Sequence, residues 1–264
     1  MRVLLVAGLD PSAGAGLAAD LEALRAVGAR GWPVAAALTA QGPAGVKGWS
    51  PVPEALLLAQ IDALLEGGDE RPRAVKTGML GTAGLAAALC HRLAARDLVK
   101  VPLVLDPVLL SSSGTPLLDC GEVAPSLALE PLLARARLAT PNLPELAALT
   151  GLDVSSDAAA VKAARQLPSK AVLVKGGHRE GAPVDLLVEA RRVTRLEGTR
   201  RPGTARGTGC RLASAIAGLL AQGASLEQAA RGGKAVVEAY LDEAAARSAG
   251  QVPTALQQAP PPWK

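Results

Sequence analysis

Gly207-Thr208-Gly209-Cys210 stands directly before an alanine-rich apolar stretch at about 210–222, and that placement suits anion chemistry. The first amides of a helix lack intrahelical partners, and the macrodipole adds partial positive charge there. Two glycines keep side chains away, so the amides can face the charge that develops on a transferring phosphoryl group. Cys210 at such a helix start would have a lowered pKa, and its thiolate would accept a hydroxyl proton. The same four residues equally suit a glycine-rich turn closed by a small core cysteine.

Other candidates sit where apolar runs end. Gly8-Leu9-Asp10-Pro11-Ser12-Ala13-Gly14-Ala15-Gly16 follows one such run and opens a helical pattern. Gly14-x-Gly16-x-x-Ala19 matches a loose dinucleotide fingerprint, but the next strand ends in Thr39-Ala40-Gln41 without the acid that would hold a ribose. No GxxxxGK[ST] occurs, so this loop reads as close backbone approach to a small ligand. Asp106-Pro107 and Lys175-Gly176-Gly177-His178 also end apolar runs. Asn142-Leu143-Pro144-Glu145 has the pattern of a capping box, which any helix could use.

These residues need a scaffold that gathers strand ends. Short apolar runs at 3–7, 34–38, 74–77, 103–105, 138–140 and 172–174 read as buried parallel strands. Helical spacing appears between them at 16–27, 53–65, 81–95 and 158–167. The alternation predicts a three-layer α/β/α sandwich around a mostly parallel sheet, with ligands at its carboxyl edge. Residues 185–189 and 193–197 read as an antiparallel pair, and Ser225 with Gln228 as the capping box of a last helix reaching about residue 246. A single domain is expected over 1–249, with a loose tail at 250–264 containing Pro260-Pro261-Pro262.

Composition narrows the partners. Hydrophobic residues make up 49% and charged residues 20% of 264, which excludes a disordered chain. Three Trp, one Tyr and no Phe leave no aromatic platform for single-stranded nucleic acid and imply an aliphatic core. The net charge of +4 is scattered, except at Arg200-Arg201 and between Arg206 and Arg211, which suggests a small anion and no nucleic-acid groove. Cys90, Cys120 and Cys210 form no CxxC, as expected of a reducing, cytoplasmic setting. The apolar run at 3–9 is cut short by Asp10-Pro11, and no stretch is long enough to span a membrane.

AGLDPSAGAG, LTAQ, KTGML, DPV, TPNLPE, KGGH and GTGC, in that order, resemble the hydroxymethylpyrimidine and phosphomethylpyrimidine kinase family of the ribokinase-like superfamily. The resemblance runs from about Val3 to Ala246 and implies transfer of the γ-phosphoryl of MgATP to a pyrimidine hydroxymethyl group, and then to the monophosphate, in thiamine biosynthesis. It implies that Gln41 reads the pyrimidine and that Gly8, Asp10, Met79 and Val108 border it. Asn142, Lys175, Gly177 and Arg206 would serve ATP, and Asp106 and Glu145 would act near magnesium through water. Gly207, Thr208, Gly209 and Cys210 would form the catalytic anion hole. A homodimer is implied as well.

Two departures stand out. The family usually has Lys-Ser-Gly where this chain has Ser112-Ser113-Gly114, and Asn-Thr-His where it has Thr204-Ala205-Arg206. Arg206 or Arg211 is the expected replacement for the missing cation. The departures motivate a pyrimidine-binding protein without turnover as one alternative, and the kinship of vitamin B6 kinases supplies pyridoxal or pyridoxine as another substrate.

Overall fold

A computed structural model describes residues 1–66, 68, 70–177, 181–201 and 205–248. His178, residues 202–204 and the proposed tail at 250–264 lie outside the described residues.

The chain begins β1 (Arg2–Leu9), α1 (Gly16–Ala26), β2 (Arg30–Gly42), β3 (Gly45–Pro51), α2 (Glu54–Glu66) and β4 (Ala74–Thr77). It continues β5 (Gly81–Thr82), α3 (Ala83–Leu93), β6 (Leu103–Leu105), β7 (Leu118–Asp119), α4 (Pro125–Arg135), β8 (Leu138–Ala139), α5 (Leu143–Thr150) and α6 (Asp157–Ala164). Next come β9 (Ala171–Val174), β10 (Val184–Glu189), β11 (Val193–Glu197), α7 (Thr208–Ala221) and α8 (Leu226–Ser248). Nine strands form one sheet in the order β11-β10-β9-β8-β6-β4-β1-β2-β3, and β5 pairs with β7 beside it. The six central strands are parallel, while β3, β10 and β11 join antiparallel at the two edges.

Two apolar layers explain why the inner strands carry no polar face. Leu4 and Val6 of β1 pack with residues of α2 to α6, such as Leu57, Leu89, Leu132, Leu146 and Ala163. Val3, Leu5 and Ala7 point the other way, onto α1, α7 and α8 through Leu24, Ile216 and Ala229. Residues 3–8 of this run are buried and form the core of the sheet. No helix among the described residues is long and apolar enough to cross a membrane.

The predicted alternation holds, including the antiparallel pair β10/β11 and the Ser225/Gln228 box, whose two reciprocal bonds are 2.9 and 3.2 Å. Sequence reasoning leaves β3 and α4 unassigned. The β3 sequence carries two glycines and a proline, a poor strand composition, and it is the pairing with an extended β2 that holds it. In α4, Pro131 lies inside the helix, where it normally breaks one, yet Leu129, Leu132 and Leu133 are buried against the sheet.

Candidate active site

Every site residue expected from the sequence lies at a carboxyl end of a central strand, beside one, or at the start of α7. Gly8 and Asp10 end β1, Gln41 ends β2, and Met79 follows β4. Asp106 and Val108 follow β6, Asn142 follows β8, and Lys175 and Gly177 follow β9.

Lys175, Asp106 and Glu145 form one cluster. Lys175 Nζ donates to Asp106 Oδ1 at 2.7 Å and lies 3.6 Å from Glu145 Oε2. Thr140 Oγ1 donates to the same Asp106 oxygen at 3.0 Å. Glu145 is fixed by the expected capping box: its Oε2 accepts from the Asn142 N–H at 2.8 Å, while Asn142 Oδ1 accepts from the Glu145 N–H. Burial pushes the Glu145 carboxyl up, against the pull of Lys175. For Lys175, burial acts to lower the pKa, but the two carboxylates outweigh it and hold the ammonium well above its ordinary value. Lys175 is therefore a permanent cation at this strand end.

The start of α7 meets that cation. A Cβ on Gly209 would stand 3.2 Å from Lys175 Nζ, so the missing side chain lets the ammonium lie close to the helix start without strain. Gly207 is the N-cap with φ 72°, and no side chain caps the helix. A Cβ there would overlap the Gly14 carbonyl oxygen and come within 2.9 Å of Ala15 Cα. The open amides thus rest on the loop after β1. Cys210 is half-buried, and here the helix-start expectation needs correcting. Burial raises its thiol pKa, despite the lowering effect of Lys76 and of the Gly16 amide.

Asp10 and the two arginines are tied to partners within the protein. Asp10 Oδ1 accepts from the Ser12 amide and hydroxyl at 2.9 and 2.7 Å. Its Oδ2 accepts from the Ala15 amide at 3.0 Å and from Arg206 Nη2 at 2.6 Å. The carboxylate is spent on shaping its own loop. Arg206, expected at ATP, turns to that loop and donates to the Gly42 carbonyl at 2.6 Å. Arg211 pairs with Glu22 at 2.5 Å. Ser111 to Thr115 form a self-bonded turn around Ser112, with Ser113 beside Gly45.

Gly8, Met79 and Val108 do come together. Met79 packs with Ala37, Leu117, Val46, Trp49 and Val108. A Cβ on Gly8 would sit 2.9 Å from the Met79 sulfur. Gln41 pairs in register with Val46 beside this cluster, and its Oε1 accepts from Thr39 Oγ1 at 3.3 Å. The walls are not purely aliphatic: Trp49 of β3 joins the cluster and is pinned by its indole N–H to the Pro116 carbonyl at 2.9 Å.

Beside the anion loop lies a cavity of about 240 Å³ lined by residues including Lys175, Gly177, Thr208, Gly209, Lys234 and Glu238. Lys234 reaches Asp185 at 2.7 Å, and Asp185 in turn accepts from the Gly176 amide at 2.8 Å. This pair has no local sequence signal, because 49 residues separate its members. Asn142 and Arg206 do not line this cavity.

Lys76 and Asp20 form an ion pair at 2.7 Å with both side chains 0% exposed. Ser214 Oγ donates to the same Asp20 oxygen at 2.8 Å. Burial alone would lower the Lys76 pKa, yet Asp20 holds the ammonium charged. Sequence reasoning passed over this pair, although a lysine inside the buried run of β4 and an aspartate between Leu17 and Leu24 on the apolar stripe of α1 were readable signs.

Open helix-start amides facing a lysine and two carboxylates, at the carboxyl edge of a mostly parallel sandwich, are equipment for phosphoryl groups, and they place the chain among the ribokinase-like kinases. The sequence profile described as phosphomethylpyrimidine kinase matches residues 10–255, and the chain belongs to that family of phosphotransferases. It is 39% identical over 244 residues to the thiamine biosynthesis bifunctional protein ThiED of Geobacter sulfurreducens, a match that spans 90% of this chain but only 49% of that protein. The phosphomethylpyrimidine kinase of Clostridium difficile superposes with a TM-score of 0.75 at 33% identity, covering 93% of this chain and 99% of the other. Pyridoxal kinase from Staphylococcus aureus, in complex with AMP-PCP and pyridoxal, gives 0.77 at 28% identity, covering 90% and 86%.

Proposed function

We propose that this chain phosphorylates 4-amino-5-hydroxymethyl-2-methylpyrimidine with ATP, and then its monophosphate, in thiamine biosynthesis. The observation that carries the reading is the end of β1 with the loop after it, which joins two compartments: Gly8 lies against the Met79 cluster, while Gly14 meets Gly207 of the anion loop, whose Thr208 and Gly209 line the cavity beside Lys175. The pyrimidine would lie against Met79, Val108 and Trp49, and the nucleotide in the cavity. One kinase domain over 1–249, active in the cytoplasm as a homodimer, completes the proposal.

In the reaction, the substrate's hydroxymethyl oxygen attacks the γ-phosphorus, the bond from that phosphorus to the bridging β,γ-oxygen breaks, and ADP leaves with the electron pair. The Gly207 to Cys210 amides and Lys175 face the charge that spreads over the transferring group. The hydroxyl proton passes to the Cys210 thiolate. Asp106 and Glu145, beside Lys175, are the carboxylates that would hold Mg2+ through water. When bound, it would neutralise phosphate charge.

The test mixes protein, MgATP and the pyrimidine, and follows ADP and product mass. No product above a Cys210→Ala control would end the reading, and a tenfold preference for pyridoxal in a parallel arm would reassign the substrate. The thiol also sets a pH dependence. A raised pKa leaves little thiolate at neutrality, so kcat should climb between about pH 7 and 9 with a log slope near one. A flat profile would remove Cys210 as the base.

A further inference from the structure

We propose that Arg211 is a positioning residue that ties the anion loop to the substrate loop, so that the helix-start amides and the pyrimidine pocket keep one fixed relation. Its Nη1 donates to the Gly14 carbonyl at 3.1 Å and to the Arg206 carbonyl at 3.3 Å. One guanidinium edge thus bridges the loop that follows β1 and the loop that precedes α7. Its Nη2 is anchored to Glu22 of α1 at 2.5 Å, and its carbon lies 3.7 Å from the centre of the Tyr240 ring of α8. The Tyr240 hydroxyl donates to the same Arg206 carbonyl at 3.1 Å.

The arrangement is directed away from ligand. Arg211 is 4% exposed and lines no part of the cavity beside Lys175, so its charge serves the two loops and not a phosphate. A planar fork with several donors can bond two carbonyls, meet a carboxylate and stack on a ring at once, whereas a lysine reaches one of these. Gly207 explains why the tie matters: its backbone rests on the Gly14 carbonyl, and Arg211 Nη1 would be 2.8 Å from a Cβ there. If that contact slackens, the amides drift from the reacting phosphorus while each ligand still finds its own compartment. Misplacement by about 1 Å can cost about 10²-fold in rate.

The inference rests on the kinase reading, and wild-type turnover is measured first. Absence of product from the wild-type chain removes both. With turnover in hand, Arg211→Met is expected to lower kcat by about 10²-fold while KM for ATP and pyrimidine stays within about threefold. Arg211→Lys should recover part of kcat. Tyr240→Phe, which keeps the ring and removes only the hydroxyl, guards against a misfolded Arg211→Met. It should speed amide hydrogen exchange at Gly207 to Cys210 and at Gly14 to Gly16 together, with kcat reduced by a smaller factor. Unchanged kcat in folded Arg211→Met overturns the tie. So does a Tyr240→Phe protein in which exchange at both loops matches the wild type.

Discussion

Replacing Lys76 with methionine is expected to lower the unfolding free energy by about 3–5 kcal/mol at neutral pH, because it leaves a buried carboxylate without its cation. Folded domains hold only about 5–15 kcal/mol in total, so the loss is a large fraction. Asp20 and Ser214 sit between α1, α7 and β4 with the Lys76 and Asp20 side chains fully buried. The urea midpoint measures the change. Its pH dependence carries a sign. Without Lys76, burial keeps the native Asp20 pKa above its unfolded value, so Asp20 contributes stability that is fully present below the unfolded pKa and lost as pH rises through the native one. Lys76→Met should therefore approach the wild type in acid and fall away toward neutrality. Adding Asp20→Asn should recover much of the loss. A midpoint that does not move, or a difference independent of pH, would mean that the pair is not held charged.

Gly207→Ala is the substitution expected to damage turnover most. Alanine at φ 72° is strained in itself, and its methyl would overlap the Gly14 carbonyl oxygen. The two loops must then part, and the amides leave the position where charge develops. Loss of one such donor costs about 10²–10³ in kcat. KM for the pyrimidine should change far less, since Gly8, Met79 and Val108 belong to other strand ends. Gly223→Ala is the control: it shares a positive φ, 93°, but has open space around it. Equal kcat losses in the two variants would show that backbone strain alone is responsible and that the contact of Gly207 with Gly14 is not.

Residues that obey a local rule were legible in the sequence. Apolar runs marked the six central strands, and Asn142 with Glu145 announced a capping box that the fold indeed contains. The motif order placed Gly8, Gln41, Met79, Asp106 and Lys175 around one edge. What stayed hidden depends on distant partners. β3 is a strand only because β2 extends to meet it, and Trp49 reaches the Met79 cluster only through that hairpin. Arg206 stands beside the anion loop in sequence, yet its partner Asp10 lies 196 residues earlier, a pairing that no local rule announces. The Cys210 thiol shows the same limit: its helix start was readable, but burial, which depends on everything packed around it, reverses the direction of the shift.

The contact between Asp10 and Arg206 also fixes an order in time. The Met79 cluster draws on residues 37 to 117, so all of its walls lie in the first half of the chain. The phosphoryl side does not, because Gly207 and Arg211 lie near the end and their partners Gly14 and Glu22 near the beginning. Closure of so long a loop comes late, after the intervening strands have added to the sheet. The phosphoryl site is therefore incomplete until α7 docks. Catalytic competence then arrives in a single step, with the last helices.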